Sequence, residues 1–346
     1  MAQCKEGIFT GVARKFTGMI LLLVWVWLVA VWFPAPAQAL EVSGSEKKEV
    51  LANEYGRVWV GLGYLTGDVT YQIGGKFRAN ADGQIIGGKQ HFPISELKWP
   101  LDMLMLSVGG ELRFLKKGEL RAAFSKNLTD RPGKIEDTDW ETDLSSPHDK
   151  TIFGTSDTAF SGYVLDLGAR YWLLEQRVNQ DFAWALAPGL GLLYQEFSWD
   201  GSNLVQTDLI TGDVITQAGP TIAYKFNLLM PMLDLAGKLT YKRLSFLASF
   251  GFSPKLIAKD KDFHLLRDRF TKTKAYGYGF KLGWEGRYEL SRHWFLHWSG
   301  DWLWIRANDM DQNWQKFGNI FSYIWSIEHR LTSTQFSLRG GVGFKF

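Results

Sequence analysis

Cysteine is nearly absent from this 346-residue sequence: Cys4 is the single instance. One thiol excludes a disulfide framework and a thiolate metal centre. Proline is also scarce, ten residues against 36 glycines, which excludes a collagen-like or linker-rich chain. Neither sign of charge dominates. The net charge is +3, and no nucleic-acid partner is expected from so small a balance. Long apolar runs are missing beyond the first 39 residues, and the mean hydropathy of -0.13 excludes a bundle of membrane helices. What is abundant is aromatic: 16 Trp, 12 Tyr and 24 Phe. A chain this aromatic is not disordered. Aromatics and glycines together match the composition of an outer-membrane barrel.

The first 39 residues read as a secretion signal. Lys5, Arg14 and Lys15 form a positive start, Met19 to Phe33 an uncharged apolar run, and Ala37-Gln38-Ala39 a small-x-small cleavage site. The apolar run is short for a membrane span, and Pro34 and Pro36 end it. The mature chain is expected to begin at Leu40 and to run as one barrel over 40–346. Cys4 leaves with the signal, so no cysteine nucleophile remains.

The rest of the chain alternates. Tyr276, Tyr278, Phe280, Leu282 and Trp284 share one face of a strand, opposite Gly277, Gly279, Lys281, Gly283 and Glu285. Phe336, Leu338, Gly340, Val342, Phe344 and Phe346 repeat the pattern. Similar runs cover Arg57–Gln72, Ser95–Phe114, Glu119–Leu128, Thr158–Leu173, Phe182–Trp199, Gln217–Leu235, Leu244–Ala258, Thr273–Leu290, Trp294–Arg306 and Glu328–Phe346. The expected fold class is therefore all-β: a ten-stranded antiparallel transmembrane β-barrel, apolar outside and polar within. The connections alternate between short and long. Lys116-Lys117-Gly118 and Ser291-Arg292-His293 are tight, and Leu174–Asp181 and Ala236–Arg243 are moderate. Ile73–Ile94, Thr129–Asp157, Asp200–Thr216, Lys259–Lys272 and Ala307–Ile327 read as long polar loops on the extracellular side. A secreted β-sandwich would also alternate. The signal, the terminal Phe346 and the rhythm of loop lengths favour the barrel.

Two of the expected loops carry acidic clusters, Asp137-Thr138-Asp139-Trp140 and Asp260-Lys261-Asp262-Phe263-His264. Residues two apart share a face, so a barrel mouth could set two carboxylates opposite an Asp–His pair. His264 would be the general base for a water, and Asp262 would orient it. Asp137 and Asp139 would hold the water and share a proton, because adjacent like charges resist joint ionisation. Such motifs are short, and a solvated loop would carry them too. One histidine without zinc-site spacing gives no expectation of a metal. Ser146 and His148 read as ordinary loop residues. Trp298, Trp302 and Trp304 read as an aromatic girdle, with His297 and Asp301 facing the lumen. Lys281, Glu285 and Arg287 read as lumen ion pairs, leaving the barrel too narrow for a porin.

At these residues the sequence resembles the omptins, ten-stranded outer-membrane endopeptidases of Gram-negative bacteria. Asp262 and His264 match the family's catalytic dyad, and Asp137 and Asp139, followed by Trp140, match its aspartate couple. Ile222 to His264 is similar to the family without gaps, including Tyr224-Lys225, Met230-Pro231, Gly237 and Tyr241. Ser95-x-Leu97-x-Trp99, Tyr194-Gln195-Glu196 and Leu265-Leu266-Arg267-Asp268 add to the likeness. The resemblance implies peptide-bond hydrolysis at the cell surface, on peptide or protein substrates, in contact with outer-membrane lipid. It implies no cofactor, with lipopolysaccharide as an activator. Asp260 matches one acid of the family's pocket for basic side chains, while Tyr71 stands where the other acid is expected, so a weakened preference for Arg and Lys follows. Tyr194 and Glu196 match lipopolysaccharide-binding positions, but Ser198 and Asn227 stand where the family has bases. The alternative is a barrel without activity, serving as an adhesin, receptor or structural protein.

Overall fold

The computed structural model describes residues 56–81, 84–114, 117–142, 148–317 and 320–346. The expected secretion signal, the Leu40 start, Lys116 and Ser146 lie outside the described residues. Among those described, fourteen strands form one antiparallel sheet. They are β1 (Gly56–Ala81), β2 (Gln84–Lys89), β3 (Ser95–Pro100), β4 (Met103–Phe114), β5 (Gly118–Asn127), β6 (Lys134–Trp140) and β7 (Lys150–Tyr171). Then follow β8 (Leu174–Arg177), β9 (Phe182–Asp208), β10 (Val214–Tyr241), β11 (Leu244–His264), β12 (Arg269–Glu289), β13 (Trp294–Phe317) and β14 (Ile320–Lys345).

Ten of them pair in sequence around a ring, β1, β4, β5, β7, β9, β10, β11, β12, β13 and β14. Pairing of β14 with β1, from Arg57 opposite Lys345 to Ala79 opposite Trp325, closes it. Closure leaves no unpaired edge. The expected ten-stranded barrel is what forms. The expected strand Ser95–Phe114 is interrupted at Leu101-Asp102, which splits it into β3 and β4. β3 and β6 continue the wall above β4 and β5, bridging β1 to β7.

One end of the barrel is where the chain's described start meets its finish: Gly56 and Phe346 exchange backbone hydrogen bonds of 3.3 and 3.1 Å. From this near end the outward face is apolar. Val58, Val60, Leu62 and Tyr64 are exposed on β1, Leu229, Leu233, Leu235 and Leu239 on β10, and Val342 on β14. Water would not tolerate so large an apolar wall; lipid does. The outward Trp298, Trp302 and Trp304 alternate with the buried His297, Ser299 and Leu303, as expected of a girdle.

The strands outrun the membrane. β10 has 28 residues and β9 has 27, whereas about 9–11 residues cross a bilayer. This corrects the reading of long loops. Most of 73–94, 129–157, 200–216, 259–272 and 307–327 is strand, standing beyond the apolar wall. There both faces of the sheet meet polar surroundings, so the apolar–polar alternation that marks a membrane strand fades. The segment Ala236–Arg243, read as a connection, is strand to Tyr241, and the turn is only Lys242-Arg243, with Lys242 left-handed at φ 52°.

The lumen is filled. In the near half, buried charges pair across it. Lys281 meets Asp166 and, at 3.3 Å, Asp301. Arg287 meets Glu111 and Glu285, and Arg170 lies 3.6 Å from Glu119. Above them sits an apolar layer that includes Phe197, Phe226, Leu228, Met230 and Leu256. Trp99 on β3 stacks on Tyr224 of β10, centroids 4.5 Å apart and 8° from parallel, tying opposite walls together. Gly109 leaves room for the lumenal indole of Trp59, since a Cβ there would lie 2.3 Å from it.

Candidate active site

The floor laid by Trp99 and Tyr224 supports a group of ionisable side chains at the far end. β11 supplies three in a row. Asp260, Asp262 and His264 alternate inward on its last turn-ward residues, with Lys259, Lys261 and Phe263 exposed on the other face. The strand ends at His264, and the chain reverses through one 3-10 turn, Leu265–Arg267, closed by left-handed Asp268 at φ 48°. His264 therefore stands nearest the mouth, its side chain 18% exposed, while Asp262 beneath it is 2% exposed. His264 Nε2 lies 3.0 Å from Asp262 Oδ2.

β6 supplies the opposing pair. Asp137 is held between Leu97 of β3 and Gly154 of β7, and Asp139 between Ser95 and Ile152. Tyr71 on β1 pairs with Leu97, so Tyr71, Leu97 and Asp137 form one cross-strand row facing the lumen. Asp137 Oδ1 is sealed and has no hydrogen-bond partner among the described residues. Burial, and then the neighbouring charge of Asp139, push the Asp137 carboxyl up to about 7, against the pull of His264. Tyr71, in the same row as Asp137, reaches across the lumen to Asp262, so the β6 carboxylates and the β11 pair border the same part of the lumen. A carboxyl raised toward neutrality beside a second carboxylate can keep a proton there.

Beneath the dyad lies a second histidine pair that the sequence reading did not single out. His329 of β14 is 2% exposed, and its Nε2 lies 3.3 Å from Asp260 Oδ2. Tyr224 donates to the same oxygen at 3.2 Å. Asp311 of β13 accepts from Thr273 at 2.7 Å. Burial and the charge of Asp260 raise the Asp311 carboxyl to about 6, against the pull of His329. Burial works against charging His329, but Asp260 and Asp311 outweigh it and its titration is raised. The signal available in the sequence was parity: Ile327, His329, Leu331, Ser333 and Gln335 alternate as buried positions of β14. Tyr71, expected in the pocket, is 5% exposed and donates its hydroxyl to Asp262 Oδ2.

The sequence matches the Omptin family over residues 75–277. The chain belongs to the omptin family. Its barrel is of the kind that sits in a bacterial outer membrane. No curated protein matches the sequence. Among solved structures, the outer membrane protease OmpT from Escherichia coli aligns at a TM-score of 0.66 and 18% identity, over 84% of this chain and 97% of that one. Other barrels align more distantly. OprG from Pseudomonas aeruginosa gives 0.33 at 12% identity, over 85% of this chain and 97% of its own. The translocator domain of NalP from Neisseria meningitidis gives 0.32 at 11%, over 87% and 95%.

On the outer wall of this omptin, Tyr194 and Glu196 point outward from β9. The Tyr194 hydroxyl lies 3.1 Å from Glu196 Oε2 and 3.2 Å from Asn227 Oδ1. Lys225 of β10 reaches Glu196 at 2.8 Å. The wall continues in register across three strands: Lys225 opposite Lys261, which is opposite Lys272, and Asn227 opposite Lys259, which is opposite Lys274. All five lysines are exposed. They stand just above the aromatic Tyr276, over which Lys274 sits at 5.4 Å. Like charges directly opposite one another destabilise a sheet, so the grid favours an anion in contact with it. Ser198 and Asn227 lack charge, as read from the sequence, but the neighbouring strands supply it.

Proposed function

We propose that this omptin is an endopeptidase that hydrolyses peptide bonds at the far mouth of the barrel, exposed to the cell exterior. The observation that carries the reading is the His264–Asp262 contact, with Asp137 of the Asp137–Asp139 couple on the row that Tyr71 links to it across the lumen. With Nε2 on Asp262, Nδ1 of His264 is left to take a proton from water. The hydroxide attacks the peptide carbonyl carbon, and the C–N bond breaks as His264 returns the proton to the leaving nitrogen. No covalent intermediate forms. Asp262 holds the ring and stabilises the imidazolium. Asp137 and Asp139, sharing a proton, hold the water.

Asp260 lies one inward position deeper on β11, so a substrate side chain reaching into the lumen meets it. Its carboxylate already has His329 and Tyr224 on one oxygen, which supports a weaker preference for Arg and Lys than two free acids would give. Tyr194, Glu196 and the lysine grid form the lipid-facing site. Hydroxyl, carboxylate and ammonium groups at the membrane surface suit the sugars and phosphates of lipopolysaccharide, the activator that the family resemblance implies. The test is purified, refolded protein assayed against a peptide library, with and without lipopolysaccharide. Cleavage that His264→Ala abolishes is expected. A folded wild type that cleaves nothing would leave a barrel without activity.

A further inference from the structure

We propose that Tyr71 is a positioning residue for the Asp262–His264 dyad and does not select substrate side chains; this rests on the peptidase reading above. Around the ring, β1 and β11 are separated by β14, β13 and β12, so the contact between Tyr71 and Asp262 crosses the lumen. The Tyr71 hydroxyl donates to Asp262 Oδ2, the oxygen that His264 Nε2 also meets at 3.0 Å. Asp262 Oδ1 has no hydrogen-bond partner among the described residues. The torsion that rotates a carboxylate is soft and roughly two-fold. Without a second anchor, either oxygen could face the imidazole, and the ring would follow. Tyr71 removes that freedom.

Tyr71 is itself well fixed. Its backbone pairs with Leu97 on one side and Leu331 on the other. Its ring lies 5.6 Å from Tyr224 and 5.5 Å from His329, centroid to centroid. The same pattern recurs one step deeper, where Asp260 Oδ2 takes both Tyr224 and His329. Two Asp–His–Tyr arrangements are thus stacked. The lower is the deeper, its histidine side chain 2% exposed; the upper opens at 18%.

Tyr71→Phe keeps the ring and removes the donor. Steady-state kinetics would be measured on matched peptides with basic, aromatic and aliphatic residues at the cleaved bond. Loss of one hydrogen bond to a charged group should lower kcat about ten- to hundredfold, equally for all peptides. KM and gel mobility should stay unchanged, and the pH profile of kcat should change shape, which lost packing alone would not cause. Tyr71→His, which returns a donor, should recover part of the rate. An unchanged kcat would overturn the proposal. So would a changed ratio between basic and aliphatic peptides with kcat kept, which would put Tyr71 in the side-chain pocket. A wild type inert on every peptide would instead sink the peptidase reading and this proposal with it.

Discussion

The two histidines of the site should respond to alanine in opposite ways. Among the described residues His264 makes one polar contact, to Asp262 at 3.0 Å, and its side chain is 18% exposed. When it is removed, Tyr71 still donates to Asp262, so the carboxylate is not stranded. A partly solvated pair is worth about 1 kcal/mol or less. His264→Ala should therefore unfold within a few degrees of wild type. As the proposed base, however, it should cost about 10²- to 10⁴-fold in kcat, which is about 3 to 5 kcal/mol of transition-state stabilisation. His329 is the reverse case. Both His329 and Asp260 are buried, 2% and 6% exposed. Truncating one partner of a buried pair typically costs about 3–5 kcal/mol, so His329→Ala should lower the unfolding temperature clearly. Because its titration is raised by Asp260, this stabilisation is complete below the unfolded-state pKa and fades as pH rises through the folded one. The gap between wild type and His329→Ala should narrow at alkaline pH. The assay is peptide turnover beside the temperature at which the folded band on a gel converts to the unfolded band. If His264→Ala keeps near wild-type turnover, or destabilises as much as His329→Ala, the assignment of roles is wrong.

Asp139→Asn should abolish turnover without lowering the unfolding temperature, a result read by the same two assays. The Asp137 carboxyl is raised from 3.8 to about 7, so the folded state keeps a proton that the unfolded chain has released, and stability falls as pH rises across that window. Asp137→Asn should consequently raise the unfolding temperature at pH 8 and leave it nearly unchanged at pH 4; equal shifts at both would refute the cause given. Replacing Lys259, Lys261, Lys272 and Lys274 together by Gln should weaken activation by lipopolysaccharide and its salt sensitivity, measured as activity against lipid concentration. Asp260→Ala should lower kcat/KM for basic peptides relative to aliphatic ones, and an unchanged ratio would remove Asp260 from the side-chain pocket.

Strand parity in the sequence was enough to determine the barrel's two faces. In the membrane-crossing part each residue has lipid on one side and a packed lumen on the other, so Tyr276 to Glu285 alternate in chemistry as they alternate in space. The count of ten strands and the lumenal pairing of Lys281, Glu285 and Arg287 were legible for the same reason. So were Asp137, Asp139, Asp262 and His264 as a candidate constellation, because spacing of two on short segments puts each pair on one face. Above the membrane the signal failed. Both faces there meet polar groups, and extended strands such as Asp200–Asp208 of β9 and Ala307–Phe317 of β13 read as loops. Partners across the lumen were also beyond reach. Tyr71 meets Asp262 across 191 residues of sequence, and His329 of β14 meets Asp260 of β11 past two intervening strands. The lysine grid depends on register, which a one-residue slip would destroy. Those contacts exist only because closure of the ring brings distant strands to the same height, and closure is a property of the whole chain.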